Sequence, residues 1–343
     1  MSKRKLSTAW TKIWQRSVSA FNRQAKVAGK RVIKQALQSA VVQIKAKAQP
    51  PVGAGDWLSG IATGPIGMRR FKLFRPAGIK VGERLPLLVM LHGCGQDANS
   101  FALSTRMNAV AVRERFLVLY PEQDRLANLQ GCWNWFDTDS GRAYGEAALI
   151  MQAIDQVCLL YPADRARVAV AGLSSGASMA ALLATRYPTR FKALAMHSGL
   201  APGAAHSSLS ALGAMHGRRS PRSLAAQAVV RTVASDPQWP PLLVIQGRAD
   251  SVVVASNGQA AAQQWAMAAG AQAAAGRKQQ RGQRYPMTVT DFKCKRATVA
   301  TLVEIERLGH AWSGGAAKQP FSDAMGPDAS RMVWAFAARQ FRA

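Results

Sequence analysis

The sequence predicts an α/β fold: a mostly parallel central sheet with helices on both faces, preceded by a basic helical extension. Three observations predict it. Short continuous apolar runs recur along the chain, as in strands buried on both faces. Segments of helical periodicity separate them, and strand–helix alternation is the mark of parallel pairing. The texture also changes near Asp56, the first acidic residue, because everything before it is amphipathic and basic.

The extension comes first. Leu6, Trp10, Ile13, Trp14, Val18 and Phe21 recur at three-to-four-residue spacing, the period of a helix face. Twelve lysines and arginines precede Asp56, so this segment carries 12 of the net +27 charges. Its plainest reading is a helix packed on the body. Its functional reading is docking of residues 3–47 on an anionic membrane or granule surface. Pro50 and Pro51 stop the pattern, which sets residues 1–49 as the extension, 50–64 as a linker and 65–343 as the catalytic domain. Lys12 and Arg16 interrupt any apolar signal core, so no secretory signal is expected, which favours a cytoplasmic or granule-associated chain. No run approaches the roughly 18 apolar residues of a membrane-spanning helix.

Strands follow in order. Residues 69–76 alternate like an early strand. Residues 85–93, 116–122, 167–172, 191–199, 240–250 and 301–310 are short apolar runs. Helical stretches lie between them at 100–114, 144–160, 176–187 and 258–269, with a last one at 328–341. Residues 201–238 are rich in Ala, Ser and Gly and read as an insertion over one end of the sheet. Residues 270–285 read as a surface loop.

Composition narrows the function. A hydrophobic content of 48% excludes general disorder. The four cysteines form no CxxC pair and no Cys/His cluster with zinc spacing, so no zinc site is expected. The charge would suit nucleic acid, but no helix-turn-helix, zinc-finger or RNP pattern accompanies it, so no specific nucleic-acid partner is expected.

The chemistry centres on "GLSSG", residues 172–176. G-x-S-x-G between an apolar strand and an alanine-rich helix is the pattern of a nucleophile elbow, which makes Ser174 the candidate nucleophile of an α/β-hydrolase fold. A serine needs a base, and the base needs an orienting carboxylate. His310 follows the last strand in "RLGHAWSGG", whereas His197 ends an inner strand and reads as structural. Asp250 sits just past a strand, where open sheets bind ligands; Asp236 and Asp291 are less suitably placed. The oxyanion donors expected are the amide of Ser175 and one from "LHGCGQ", either Cys94 or its neighbour Gly93. Trp312, two residues past the base, and Trp133 and Trp135 are candidate walls of a substrate cleft.

Together "LHGCGQDANSFA", "YPEQ", "CWNWF", "GE", "GLSSGASMA", "GRADSVV" and "GHAWSGG" resemble the polyhydroxybutyrate depolymerase-family esterases, a family that also includes feruloyl and acetylxylan esterases. The resemblance covers about residues 65–340. It implies a Ser174–Asp250–His310 triad, hydrolysis of carboxylic esters without a cofactor, and an extracellular setting. It also implies a bond between Cys94 and Cys132 near the site. The substrates it implies are short-chain hydroxyalkanoate esters or oligomers, or aryl and acetyl esters of plant cell walls. The rival from another class is a surface- or polymer-binding protein that kept the fold without the chemistry.

Overall fold

A computed structural model of the chain describes residues 53–64, 67–218 and 239–342. The extension expected over residues 1–49 and most of the 201–238 insertion lie outside the described residues.

Along the chain the strands are β1 (Gly55–Gly64), β2 (Gly67–Pro76), β3 (Leu85–Leu91), β4 (Leu117–Pro121), β5 (Ala163–Leu173), β6 (Ala193–His197) and β7 (Leu242–Gly247). After them come β8 (Gln272–Ala273), β9 (Arg277–Gln279), β10 (Met287–Cys294), β11 (Ala297–Ile305), β12 (Trp312–Ser313) and β13 (Ser322–Asp323). The helices are α1 (Ala98–Thr105), α2 (Met107–Glu114), α3 (Arg142–Leu160), α4 (Ser175–Arg186), α5 (Ser208–Met215), α6 (Ser256–Ala268) and α7 (Ala329–Gln340).

The sheet runs β1-β2-β4-β3-β5-β6-β7-β11-β10-β8, with β9 also on β10. The six central strands, β4 to β11 in that order, are parallel, and antiparallel strands flank them on both sides. All seven residues of β3 are buried. Side chains alternate across it: Leu87, Val89 and Leu91 join the core under α3, α4 and α6, and Leu88 and Met90 join the core under α1, α2 and α7. A strand covered on both faces needs apolar residues at every position, which is why these runs are continuous.

Three expectations are corrected. Residues 55–64 are not linker but the ten-residue strand β1, paired in register with β2. The glycines that suggest a linker serve close approach: a Cβ on Gly60 would sit 2.2 Å from the Phe71 ring. The helix expected over 100–114 is two helices, because Arg106 takes φ 55° and ends α1. The loop expected over 270–285 contains β8 and β9, which extend the sheet through β10. Of the insertion, the described part carries α5, opened by a reciprocal Ser207–Ser210 capping box. It is tied to the loop after β7 by the Val254 amide donating to Met215 O at 3.0 Å.

Candidate active site

The parallel strands all end at one side of the sheet, and the chemistry-bearing residues gather there. β5 delivers Ser174 with φ 56° and ψ −121°, a backbone conformation that costs of order 1–3 kcal/mol for a residue with a side chain. The flanking glycines are forced by contact. A Cβ on Gly172 would lie 2.4 Å from the Gly176 carbonyl, and one on Gly176 would lie 2.2 Å from Leu91 O. Strand β5, helix α4 and strand β3 close on each other, and Ser174 sits at the turn between β5 and α4, 9% exposed. Its amide donates to His197 O at 2.9 Å.

Two strands further along, Asp250 follows β7 and His310 follows β11. His310 Nδ1 lies 2.8 Å from Asp250 Oδ2. The other carboxylate oxygen accepts the amides of Val252 and Val253 at 2.9 and 2.8 Å, and Gln246 Nε2 stands 3.4 Å from Oδ2. Burial pushes the Asp250 pKa up, but the hydrogen bond and charge of His310 and the two amides outweigh it and hold the carboxyl below its ordinary value. Asp250 is therefore an anion that fixes the histidine ring. The two loops are locked together, since a Cβ on Gly247 would meet Leu308 O at 2.2 Å.

His197 is fully buried between these loops. Its Nε2 accepts the Ser313 amide at 3.1 Å and its ring stacks on Trp312 with centroids 5.1 Å apart. Burial, with the neighbouring His310 charge, lowers its pKa to about 3. It braces the loop carrying His310 as a neutral ring.

Facing the serine is the loop after β3. A Cβ on Gly93 would sit 3.6 Å from Ser174 Cβ, so the loop lies directly over the nucleophile. The Gly93 amide is already used, donating to Gln96 Oε1 at 3.0 Å. His92 Nε2 accepts the Gln123 amide at 3.0 Å, which leaves Nδ1 as the protonated nitrogen; it donates to Gly93 O at 2.9 Å. A trans peptide points its N–H opposite its carbonyl, so the Cys94 N–H is turned away from His92. Among the described residues no acceptor takes the amides of Cys94 or Ser175. Of the two oxyanion candidates in this loop, Cys94 is the one with an available donor.

Cys94 is bonded to Cys132. The Ser175 hydroxyl lies 3.4 Å from Cys94 Sγ and 3.4 Å from the Trp133 amide, joining elbow, disulfide and the 132–135 segment. Beneath them is a buried polar cluster that sequence reasoning missed. Glu146 accepts from Gln123 Nε2 at 2.7 Å, from Asn134 Nδ2 at 2.6 Å and from the Asn134 amide at 3.0 Å. Arg69 donates to Glu122 O at 3.0 Å and to Gln123 Oε1, and lies over the Trp133 ring. The signals were present as "YPEQ", "CWNWF" and "GE", but nothing local says that they meet.

The three tryptophans offered as cleft walls are corrected. Trp133 is 0% exposed, Trp135 7% and Trp312 1%. Trp133 Nε1 donates to His92 O at 3.0 Å, Trp135 packs edge-on to Phe136, and Trp312 Nε1 donates to Ser330 Oγ at 3.0 Å. Trp133 and Trp312, with their indole N–H groups satisfied and their rings enclosed, support the site loops and offer no face to a substrate, and Trp135 is buried beside Phe136. Among the described residues no group of His, Cys, Asp or Glu is placed to hold a metal ion, and no helix is long and apolar enough to cross a membrane.

Comparison with known proteins bears on the family and the fold. The chain is 34% identical over 169 residues to a poly(3-hydroxyalkanoate) depolymerase C of Paucimonas lemoignei, covering 49% of this chain and 40% of that one. It is 35% identical over 124 residues to a feruloyl esterase B of Neurospora crassa, covering 36% and 41%. It thus spans about two fifths of the length of these two relatives. An acetyl xylan esterase from Aspergillus awamori shares the fold with a TM-score of 0.57 at 18% identity, over 75% of this chain and 94% of that one. The α/β-hydrolase fold is shared with further esterase structures of similar likeness. The family model described as esterase PHB depolymerase matches residues 70–287, which takes in the elbow, the oxyanion loop and Asp250, and the chain belongs to that family.

Proposed function

We propose that the chain is a serine-dependent carboxylic ester hydrolase. The observation that carries this is the Asp250–His310 hydrogen bond standing at the same strand ends as the strained Ser174, under two unoccupied amides. His310 takes the proton from Ser174 Oγ as the serine attacks the ester carbonyl. Asp250 holds the ring in the tautomer that leaves Nε2 free and stabilises the imidazolium. The amides of Cys94 and Ser175 receive the oxyanion, the alcohol leaves, and water activated by His310 releases the acid.

The substrates are short-chain hydroxyalkanoate esters or oligomers, a reading supported by the poly(3-hydroxyalkanoate) depolymerase relative. Feruloyl or acetylxylan esters are the second reading, supported by the relatives of those names. The chain works in an oxidising compartment such as the extracellular space, supported by the Cys94–Cys132 bond, since cytosolic thiols are kept reduced. Residues 3–47 dock on an anionic membrane or granule surface, a reading that rests on their sequence alone.

The test is hydrolysis of p-nitrophenyl esters from acetate to octanoate by wild type and Ser174→Ala, followed by rates on hydroxybutyrate oligomers and feruloyl esters side by side. Activity lost in the variant supports the serine mechanism. A folded wild type that hydrolyses none of them overturns it in favour of a non-catalytic binder.

A further inference from the structure

The site occupies the ends of the parallel strands; the opposite end, where they begin, has its own chemistry. A hollow of about 900 Å³ opens there between the start of β3, the end of α2 and helix α7, lined by seven arginines and two glutamates. Four of the arginines are ion-paired: Arg115 to Glu83, Arg113 to Glu114, Arg167 to Asp164 and Arg331 to Asp328. Among the described residues Arg84, Arg339 and Arg342 form no salt bridge, although Arg84 stands near enough to Asp164 to help hold that carboxyl below its ordinary value. Arg84 donates to Ala163 O, and Arg339 lies over the Phe336 ring. Helix carbonyl ends favour a cation in the last turn, which Arg113 and Arg339 supply. Arg84 and Arg342 go beyond that requirement.

The same end of the sheet also exposes aliphatic residues. Val81, in the loop entering β3, is 106% exposed. Leu159 and Leu160, closing α3 just before β5, are 78% and 63% exposed. The hydrogen bond from the Leu85 amide to Pro162 O ties the two segments together.

We infer that this end of the catalytic domain is a docking face for an anionic lipid surface. Arg84, Arg339 and Arg342 take lipid phosphates, and Val81, Leu159 and Leu160 enter the headgroup layer. Guanidinium groups suit phosphate because their fork donates two hydrogen bonds at once. A single-stranded nucleic acid fits less well. It needs open aromatic faces for base stacking, but of the two aromatic residues lining the hollow, Trp334 is stacked on Phe116 at 3.7 Å and Phe341 packs against Trp334 at 6.0 Å. β3 is seven residues long, so at about 3.3 Å per residue the face lies roughly 20 Å from the candidate active site. Docked this way, the chain holds its site toward the water and away from the lipid.

The test is co-sedimentation of the full chain with phosphatidylcholine vesicles, with and without phosphatidylglycerol, as wild type and as Arg84→Gln/Arg339→Gln/Arg342→Gln. Binding to the anionic vesicles is expected to fall about 5-fold per arginine, on the order of 100-fold for the triple variant. Wild-type binding is expected to weaken steeply with salt. Hydrolysis of a soluble ester should stay unchanged, since these residues are remote from Ser174. Val81→Asp carries the same test should the triple variant fail to fold, because its side chain is fully exposed; its binding should also fall. Equal binding by wild type and folded variants overturns the inference. So does a loss seen only with single-stranded DNA as the probe, which would make nucleic acid the occupant.

Discussion

The ring of His92 and the carbonyl of Gly93 are joined by a 2.9 Å hydrogen bond, and that bond aims the amide of Cys94. With this donor gone, the peptide is free to rotate and one oxyanion contact is weakened. His92→Leu should lower kcat by roughly 100- to 1000-fold with little change in KM, the pattern of a contact made only in the transition state. His92→Asn keeps a donor near the Nδ1 position and should retain more activity. Equal losses in both variants would assign His92 a packing role only.

Both buried histidines also govern the acid side of the stability profile. Burial lowers the pKa of His92 to about 4 and that of His197 to about 3, from an unfolded value near 6.5. Between those values the unfolded chain binds protons that the folded chain does not. Their contribution is therefore complete above about pH 6.5 and is lost as pH falls toward 4, at up to about 1.4 kcal/mol per pH unit for each ring. Urea midpoints between pH 7 and 4 should fall more steeply for wild type than for His197→Gln. Equal slopes would show that His197 is protonated in the folded chain.

Asp250 is predicted to act through His310 alone, since one of its oxygens is taken by two amides and the other faces the ring. Asp250→Asn would favour the wrong tautomer, and kcat should fall by about 10⁴-fold with the fold retained. Near-normal turnover in this variant would transfer the orienting role to another carboxylate.

The parallel sheet and the elbow are legible in the sequence because they are local. Each apolar run is its own strand, and "GLSSG" reports a close approach between residues four apart. Asp250 and His310 are legible because each directly follows such a run. The supporting layer is not legible, because it is built from long-range contacts. Arg69, Gln123 and Glu146 come from three separate elements, and each alone reads as a surface polar residue. Trp312 misleads for the same reason: nearness to His310 in sequence suggests a cleft wall, but β12 turns the indole inward onto His197 and Ser330. The strand at 55–64 hides behind glycines whose purpose appears only once Phe71 is seen beside them.

The Cys94–Cys132 bond closes a loop of 38 residues, which corresponds to about 4 kcal/mol of stabilisation by loop-closure entropy. It also anchors the segment that carries the Cys94 amide. Cys94→Ser/Cys132→Ser should lower both the unfolding midpoint and kcat, and reductant should reproduce both effects in wild type. Thiol counting on the unfolded, unreduced chain should find two free groups, Cys158 and Cys294. Four would mean that the bond does not form.

Ser174 offers a test in which stability and activity move in opposite directions. Its φ of 56° is tolerated by glycine at no steric cost, but it strains any residue with a Cβ. Ser174→Gly should therefore raise the unfolding free energy by about 1–3 kcal/mol and abolish ester hydrolysis. Ser174→Ala keeps the Cβ and should lose the activity without the gain. Gly176→Ala should lower the unfolding free energy, because its new methyl group would press on the Leu91 and His92 carbonyls and cannot move aside. A Ser174→Gly chain no more stable than Ser174→Ala would show that the backbone at position 174 is relaxed, whereas the flanking glycines, which are required by contact, would remain necessary.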